Sequence, residues 1–400
     1  MREDLIMRTH VEKWLFGLSL TLWVMTAIAQ SPPLVKGIPS LPDEVLLAKR
    51  GLPWAYTVLP SQTPIPLTRR NPSIAERKVI EQARTLLANR QAKAIALIDG
   101  PNIVYVDYKP SATEGSLLYG ASISKTVTAM AIGRAICADK LKLSDRASDI
   151  IPELEKKALG NATVHDLLRM ASGAAKPHNE GNPYSGNILT PQNSKDWSTG
   201  TLDLVDLIAE DRVARAERGV FSDYRPGEVF AYKNTDPMVL GIMLNRVTGM
   251  SFAKWVQQTI FDPMGASGSG WISQNRKQQA LADSGVRLLM EDWIRFAWWV
   301  KQASQQSDCF GNYVREASRT QISNGHSRTD RTSGSLFAGY GYLTWTDNEI
   351  APKTFWAAGY GGQRIGWSYD SNRMVVAFSN LEDWTAELYG LFRDWKNVGP

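Results

Sequence analysis

Gly120-Ala-Ser-Ile-Ser-Lys-Thr126 decides how the rest of the chain is read. Ser122 and Lys125 stand three apart in what the pattern predicts to be the first turn of a helix running to about residue 138. At that spacing two side chains share a helix face and meet. A serine hydroxyl is a poor nucleophile until a neighbour takes its proton. A lysine serves as that neighbour when burial and crowding favour its neutral amine. The first turn also sets developing negative charge near the positive end of the helix dipole. The S-x-x-K spacing therefore suits covalent acyl transfer. The pattern is short, and the chain holds a second copy, Ser251-Phe-Ala-Lys254. That copy follows Thr248-Gly-Met250 and opens an amphipathic run, so Ser251 reads as a helix N-cap.

With 400 residues, 43% hydrophobic and 21% charged, the composition is that of a globular protein with one large domain or two closely packed ones. The net charge of +5 is spread without a block of like charge, which gives no support for nucleic-acid binding. Arg2, Arg8 and Lys13 precede a largely apolar run from Trp14 to Ala27, and Ala27-Ile-Ala29 supplies small residues at cleavage-site spacing. That run is short for a membrane span, which needs about 20 residues. Residues 1–29 are expected to be a signal peptide cut after Ala29, leaving a periplasmic or secreted product with no stable membrane span. The two cysteines, Cys137 and Cys309, form no framework pattern. Cys137 falls among Ile132, Ile136 and Leu141 as a buried apolar residue, and the pair is expected to stay unbridged.

Residues 30–72 are rich in proline and read as an extended arm. Ser73-Ile-Ala-Glu76 is a capping box that opens a helix to about residue 90. Residues 94–98 and 103–108 are strand-like and flank Asp99-Gly-Pro-Asn102, a hairpin signal. The Ser122 helix follows, then a mainly helical region to about residue 335. Within it Thr163-Val-His-Asp166 caps a short helix, and residues 174–200 and 304–335 read as polar loops. A helix with Pro237 in its first turn is closed by Gly249. Strands are predicted over 339–345, 354–360, 364–369 and 374–379, with a last helix from Trp384 to Trp395. Short strands with tight turns favour an antiparallel sheet. The fold class is therefore α/β, in the α+β sense. N- and C-terminal segments (73–138 and 336–395) build a sheet flanked by helices, with a mainly helical part (139–335) inserted. Ser122 falls at their junction, where clefts form.

Two further motifs keep Ser122 company: Tyr232-Lys-Asn234, preceded by Pro226-Gly-Glu-Val-Phe-Ala231, and Ala357-Ala-Gly-Tyr-Gly-Gly-Gln363. With Leu143-Ser-Asp145, Ile151-Pro-Glu153 and Phe261-Asp-Pro-Met-Gly265, residues 92–395 resemble the serine β-lactamase and penicillin-binding-protein-like superfamily. Within its class C branch, Tyr340-Gly-Tyr342 and the Ala357–Gln363 strand are similar to 6-aminohexanoate-dimer hydrolases and related esterases. The resemblance implies a β-lactamase/transpeptidase-like fold with Ser122 as the acylated nucleophile and Lys125 in proton transfer. Tyr232 would be the base for attack and the acid for the leaving group. A tyrosine, with an ordinary pKa of ~10, does this near neutral pH only when a cation stabilises its phenolate. Asn234 would orient Lys125 or bind the substrate amide, and the N–H groups of Ser122 and Tyr360 would form the oxyanion hole. Gly359 and Gly361 would keep the strand edge clear for substrate.

The third motif departs from the lactamase pattern, which opens on Lys or His. Ala357-Ala358 carries no cation, and Lys353-Thr354 is followed by Phe355 rather than Gly. An ester or linear amide is therefore the expected substrate class, with Arg364 as a partial replacement for the missing charge. His178-Asn-Glu180 and Tyr184 resemble a segment that amide-hydrolysing relatives use to contact substrate, and a solvated loop is the competing reading. His165 lies on a capped helix and reads as structural. No residues have metal-ligand spacing, and no glycine pattern follows a strand as a nucleotide loop would, so no cofactor is expected. The alternatives are a β-lactamase or D-alanyl-D-alanine peptidase, and a catalytically silent envelope protein that binds a ligand. A nucleophile-elbow hydrolase is disfavoured because Gly120-Ala-Ser-Ile-Ser124 lacks the last glycine of that motif.

Overall fold

A computed structural model of the chain describes residues 54–89, 92–176, 191–325, 336–380 and 384–399. The expected signal peptide and residues 30–53 of the arm lie outside them, as do His178, Tyr184 and His326. Among the described residues nine strands form one sheet in the order β2 (Thr68–Arg69), β4 (Asn102–Tyr108), β3 (Ala92–Asp99), β13 (Arg373–Ser379), β12 (Gln363–Ser368), β11 (Thr354–Gly359), β10 (Trp345–Asn348), β9 (Phe337–Tyr340) and β8 (Ile322–Ser323). Only β2 and β4 run parallel. The β3–β4 hairpin lies beside the C-terminal strands because β13 pairs with β3 from Arg373↔Asp99 to Ser379↔Ala92. Every residue of β13 is buried, as a strand covered on both faces requires.

The period-2 alternation of β11 assigns those faces. Trp356 points to one side, against Tyr389 and Phe392 of the last helix, Thr385–Asn397. Phe355 and its cross-strand partner Trp367 point to the other, where the Trp367 indole donates to the Ala297 carbonyl of the helix Met290–Ser304. The Ser122 helix, Ile123–Cys137, lies on this second side. It is apolar nearly all round, and its few hydroxyls bond outward. Ser124 Oγ accepts from the Val286 N–H at 3.1 Å, Thr126 Oγ1 donates to Leu343 O at 3.0 Å, and Thr128 Oγ1 donates to Ala282 O at 2.6 Å.

Several elements differ from expectation. A small antiparallel sheet, β1 (Tyr56–Thr57), β6 (Gly270–Ile272), β7 (Val286–Leu288) and β5 (Leu118–Tyr119), carries the approach to Ser122. Described residues of the arm add β1 to this sheet and β2 to the large one. The single strand expected over 339–345 is a hairpin of β9 and β10, closed by Gly341 N–H to Thr344 O at 2.8 Å. Part of the expected polar loop is a helix, Cys309–Ala317, with Phe310, Tyr313, Val314 and Ala317 buried at helical spacing. That helix lies against the Ser122 helix, where Tyr313 Oη donates to Ala129 O at 2.8 Å. The expectation of unpaired cysteines is thereby overturned: Cys137 and Cys309 form a disulfide with Cα atoms 5.8 Å apart.

The bridge joins residues 172 positions apart, and a loop of that length corresponds to about 5 kcal/mol in a chain-entropy account. Thiol titration in denaturant is expected to find no free cysteine, and Cys309→Ser to lower Tm by several degrees. At the start of the first helix, Ile74–Asn89, Glu76 completes the Ser73 capping box and takes hydrogen bonds from Arg70 at 2.8 and 2.6 Å, with Arg373 also on it. Arg70, foremost, holds its carboxyl at about 2 against an ordinary 4.5, aided by the Ser73 N–H and Arg373 and opposed by burial. A depressed folded value stabilises above the unfolded one and is lost as pH falls through the folded one. Tm should thus fall between about pH 4.5 and about pH 2. Glu76→Gln should lower Tm at neutral pH and flatten that decline.

Candidate active site

The turn before the Ser122 helix is fixed by backbone. Gly120 N–H donates to Val286 O at 3.0 Å, and a Cβ on Gly120 would lie 2.7 Å from the buried Trp293 indole. Ala121 is held at φ +45°, the left-handed region, which costs an L-residue roughly 1–2 kcal/mol. Ser122 then begins the helix with no side-chain capping bond, leaving its partly exposed Oγ free for another partner. Lys125, 1% exposed, supplies it.

Lys125 Nζ donates to Ser122 Oγ at 2.7 Å, to Asn234 Oδ1 at 2.7 Å and to the Asp283 carbonyl at 3.1 Å. It also lies 5.1 Å from the Tyr232 ring centroid, within cation–π range. Three distant parts of the chain thus meet on one ammonium. Asn234 immediately precedes the helix Thr235–Thr248 and makes no side-chain capping bond to it, and that helix packs on the 280–285 segment through Gly241. A Cβ on Gly241 would stand 2.8 Å from that of Ala282. Tyr232 is oriented by Trp345, whose ring stacks on it at 5.2 Å, with Tyr340 edge-on at 6.2 Å. Behind it Lys233 and Asp236 are fully buried, and Asp236 accepts from Ser172 Oγ at 2.7 Å.

The end of β11 comes down onto the Ser122 turn. A Cβ on Gly359 would lie 2.4 Å from Gly120 O and 3.2 Å from the Ala121 Cβ. This contact seats the strand end, with Tyr360 next in sequence, against the turn that carries Ser122. Among the described residues neither the Ser122 nor the Tyr360 N–H has a backbone acceptor. A developing oxyanion needs donors of this kind.

A family model described as Beta-lactamase matches residues 81–395. The chain belongs to the beta-lactamase family. Among solved structures it is similar to a candidate 6-aminohexanoate-dimer hydrolase from Bacillus anthracis, with TM-score 0.62, 17% identity, and 86% of this chain and 89% of that one covered. It is also similar to EstCE1, a hydrolase with promiscuous acyltransferase activity (TM-score 0.60, 14% identity, 80% and 100% covered). A Beta-Lactamase/D-Alanine Carboxypeptidase from Pseudomonas syringae gives TM-score 0.60 at 14% identity, over 82% and 100%. At these identities the likeness is one of fold. Protein flp of Staphylococcus aureus is 25% identical over 177 residues, 44% of this chain and 32% of that protein, so the match spans about a third of that relative's length. The chain has the fold of that family.

In this beta-lactamase family member the structure brings together Ser122, Lys125, Tyr232, Asn234, Gly359 and Tyr360. Gly359 serves the approach of β11 to Gly120, a reason separate from keeping a substrate edge clear. Gly361 has φ +83° in the turn after β11, a conformation that favours glycine. Arg364 pairs with Ala358, so both point to the face of the sheet opposite Ser122. There its buried guanidinium donates to Tyr389 Oη at 2.7 Å, Gly359 O at 2.9 Å and Gln363 O at 2.8 Å. Arg364 props the strand instead of replacing the missing charge. Ser251 is a helix N-cap, accepting from the Lys254 N–H at 3.2 Å. His165 packs edge-on against Tyr342 at 5.6 Å. Among the described residues no cluster of His, Cys, Asp or Glu is placed to hold a metal ion.

Sequence reasoning missed Asp283 and Trp345. Asp283 reaches Lys125 through a backbone carbonyl, which any residue carries. Trp345 was legible only as a strand aromatic. Gly359→Ala is expected to cut turnover by at least ~100-fold with little change in substrate affinity, because backbone at 2.4 Å cannot yield and the Tyr360 amide must shift. Steady-state kinetics of the refolded variant checks this.

Proposed function

We propose that this chain is an exported serine hydrolase that cleaves an ester or a linear amide through an acyl-enzyme on Ser122. The observation that carries the reading is Lys125 Nζ bonded to both Ser122 Oγ and Asn234 Oδ1 inside a beta-lactamase fold. In the acylation step Ser122 Oγ attacks the substrate carbonyl carbon and gives up its proton to the Lys125–Tyr232 pair. The N–H groups of Ser122 and Tyr360 hold the oxyanion, each worth about 3 kcal/mol. Collapse of the tetrahedral intermediate breaks the ester or amide bond, and Tyr232 returns the proton to the leaving group. Water then attacks the acyl-enzyme by the reverse proton route and frees Ser122.

The substrate class follows from what lies at the third motif. Ala357 and Ala358 supply no cation, Arg364 points away, and Lys353 pairs with Asp370 at 3.3 Å at the far end of β11. A carboxylate like that of a β-lactam therefore meets no fixed positive charge from this strand, which favours a neutral acyl compound. Export is supported by the apolar run after Lys13 and by the disulfide, which persists in oxidising compartments.

A fluorophosphonate probe tests the nucleophile: wild type is expected to label and Ser122→Ala to remain unlabelled, and equal labelling overturns the reading. Tyr232→Phe is expected to lose at least ~100-fold in turnover, the scale of one general acid–base group, and near wild-type turnover sinks its role. A panel of nitrophenyl esters, aminohexanoate oligomers and a chromogenic cephalosporin should give turnover on the first two and little on the third.

A further inference from the structure

Asp283 is a buried acid that the chemistry above leaves unused. It lies in the 280–285 segment, 2% exposed, where Ala282 touches both the Ser122 helix and the Asn234 helix. Its carbonyl is the third acceptor of Lys125 Nζ, so the three N–H groups of the ammonium are spent on Ser122 Oγ, Asn234 Oδ1 and Asp283 O. None is left for the Asp283 carboxyl, whose Oδ1 is buried without a hydrogen-bond partner. A buried carboxylate oxygen in that position is costly, and a proton relieves it. Lys125 has the complementary defect: it presents an N–H to Ser122 Oγ, where a base must present a lone pair.

Moving one proton cures both. We propose that Asp283 and Lys125 share a single dissociable proton, and that the form with Asp283 protonated and Lys125 neutral is the one that deprotonates Ser122. The step balances within the pair: Lys125–NH3+ and Asp283–COO− become Lys125–NH2 and Asp283–COOH, one N–H bond broken and one O–H bond made. Exchange through solvent between turnovers is sufficient, and no other reactant enters. Neutral Lys125 keeps its donors on Asn234 Oδ1 and Asp283 O and turns its lone pair to the Ser122 hydroxyl.

The surroundings suit this. Burial pushes the Asp283 carboxyl up, against the opposing pull of Lys125 and, more weakly, of the neighbouring Ser284 hydroxyl. From β5 it faces Tyr119, pushed up to about 12 by burial first and then by Asp283, so Tyr119 stays neutral. From β7 the Arg287 guanidinium lies 4.6 Å from the Tyr119 ring. Tyr232 faces Lys125 from beyond it.

The inference rests on Ser122 and Lys125 being the acylation pair, and its test keeps the two apart. The pH dependence of the second-order rate of fluorophosphonate labelling is measured for wild type, Asp283→Asn and Asp283→Ser, each first shown to fold by thermal melting. The wild-type rate should be flat from about pH 6 to about pH 9, since the pair keeps one proton throughout. Without the carboxyl, Lys125 must lose its proton to solvent. The variant rate should then be at least ~10-fold lower at about pH 6 and rise about tenfold per pH unit until the deficit closes. Variant profiles parallel to wild type overturn the shared proton and leave Asp283 a structural residue. If neither variant folds, a wild-type rate still climbing tenfold per pH unit over that range overturns it, and a flat one supports it. Labelling that survives Ser122→Ala overturns the functional reading itself.

Discussion

The three hydrogen bonds of Lys125 Nζ are the constraint on which the rest of the molecule depends. A buried ammonium is tolerated only when each donor is satisfied, and here the acceptors come from residues 122, 234 and 283. Each segment must therefore be delivered to within about 3 Å of one point. The Ser122 helix is delivered by its own apolar surface and by the Ser124, Thr126 and Thr128 hydroxyls. The Asn234 helix is delivered by the close seating of Gly241 on Ala282, and the 280–285 segment lies between the two. The disulfide at Cys137 then locks the far end of the Ser122 helix to a neighbour, and neither helix can slide without breaking the ammonium's shell.

The same economy governs the end of β11. Gly359 and Gly120 meet with no side chain between them, and Trp293 fills the space behind Gly120. Arg364, on the far face, takes up the Gly359 and Gln363 carbonyls and so stiffens the strand end that carries Tyr360. A guanidinium used this way is a structural charge. Its parity explains why it cannot face substrate: residues 358 and 364 are cross-strand partners, and the one-residue offset from Gly359 reverses the face.

Much of this was legible in the sequence because the signals are local. The capping boxes at Ser73 and Thr163, the hairpin at Asp99–Asn102 and the glycine closing the Asn234 helix each depend on residues a few positions apart. The three motifs were legible through their chemistry and order. What escaped depends on distant partners. Strands β1, β2, β5, β6, β7 and β8 are two or three residues long, too short for a period to register. The helix Cys309–Ala317 carries only a narrow apolar stripe, and its pairing with Cys137 needs the tertiary contact through Tyr313. Arg364 was misplaced because sequence distance from a motif says nothing about which face of a strand a residue takes.

The two halves of the candidate site are held in different ways. Around Ser122 the side chains are held by packing: Ser122 follows Ala121 at positive φ, Lys125 is enclosed, and Tyr232 meets both Lys125 and the Trp345 indole. A substitution there disturbs several contacts at once. At Ala357–Ala358 the third motif carries only methyl groups toward either face, and the neighbouring cation is committed elsewhere. Charge at that strand can be gained or lost without moving Ser122, because the contact between the strand end and the Ser122 turn runs through Gly359 and Gly120 backbone. The placement of the Ser122 turn and the charge carried by the third motif are therefore set by different atoms of the same strand, so one can change while the other stays fixed.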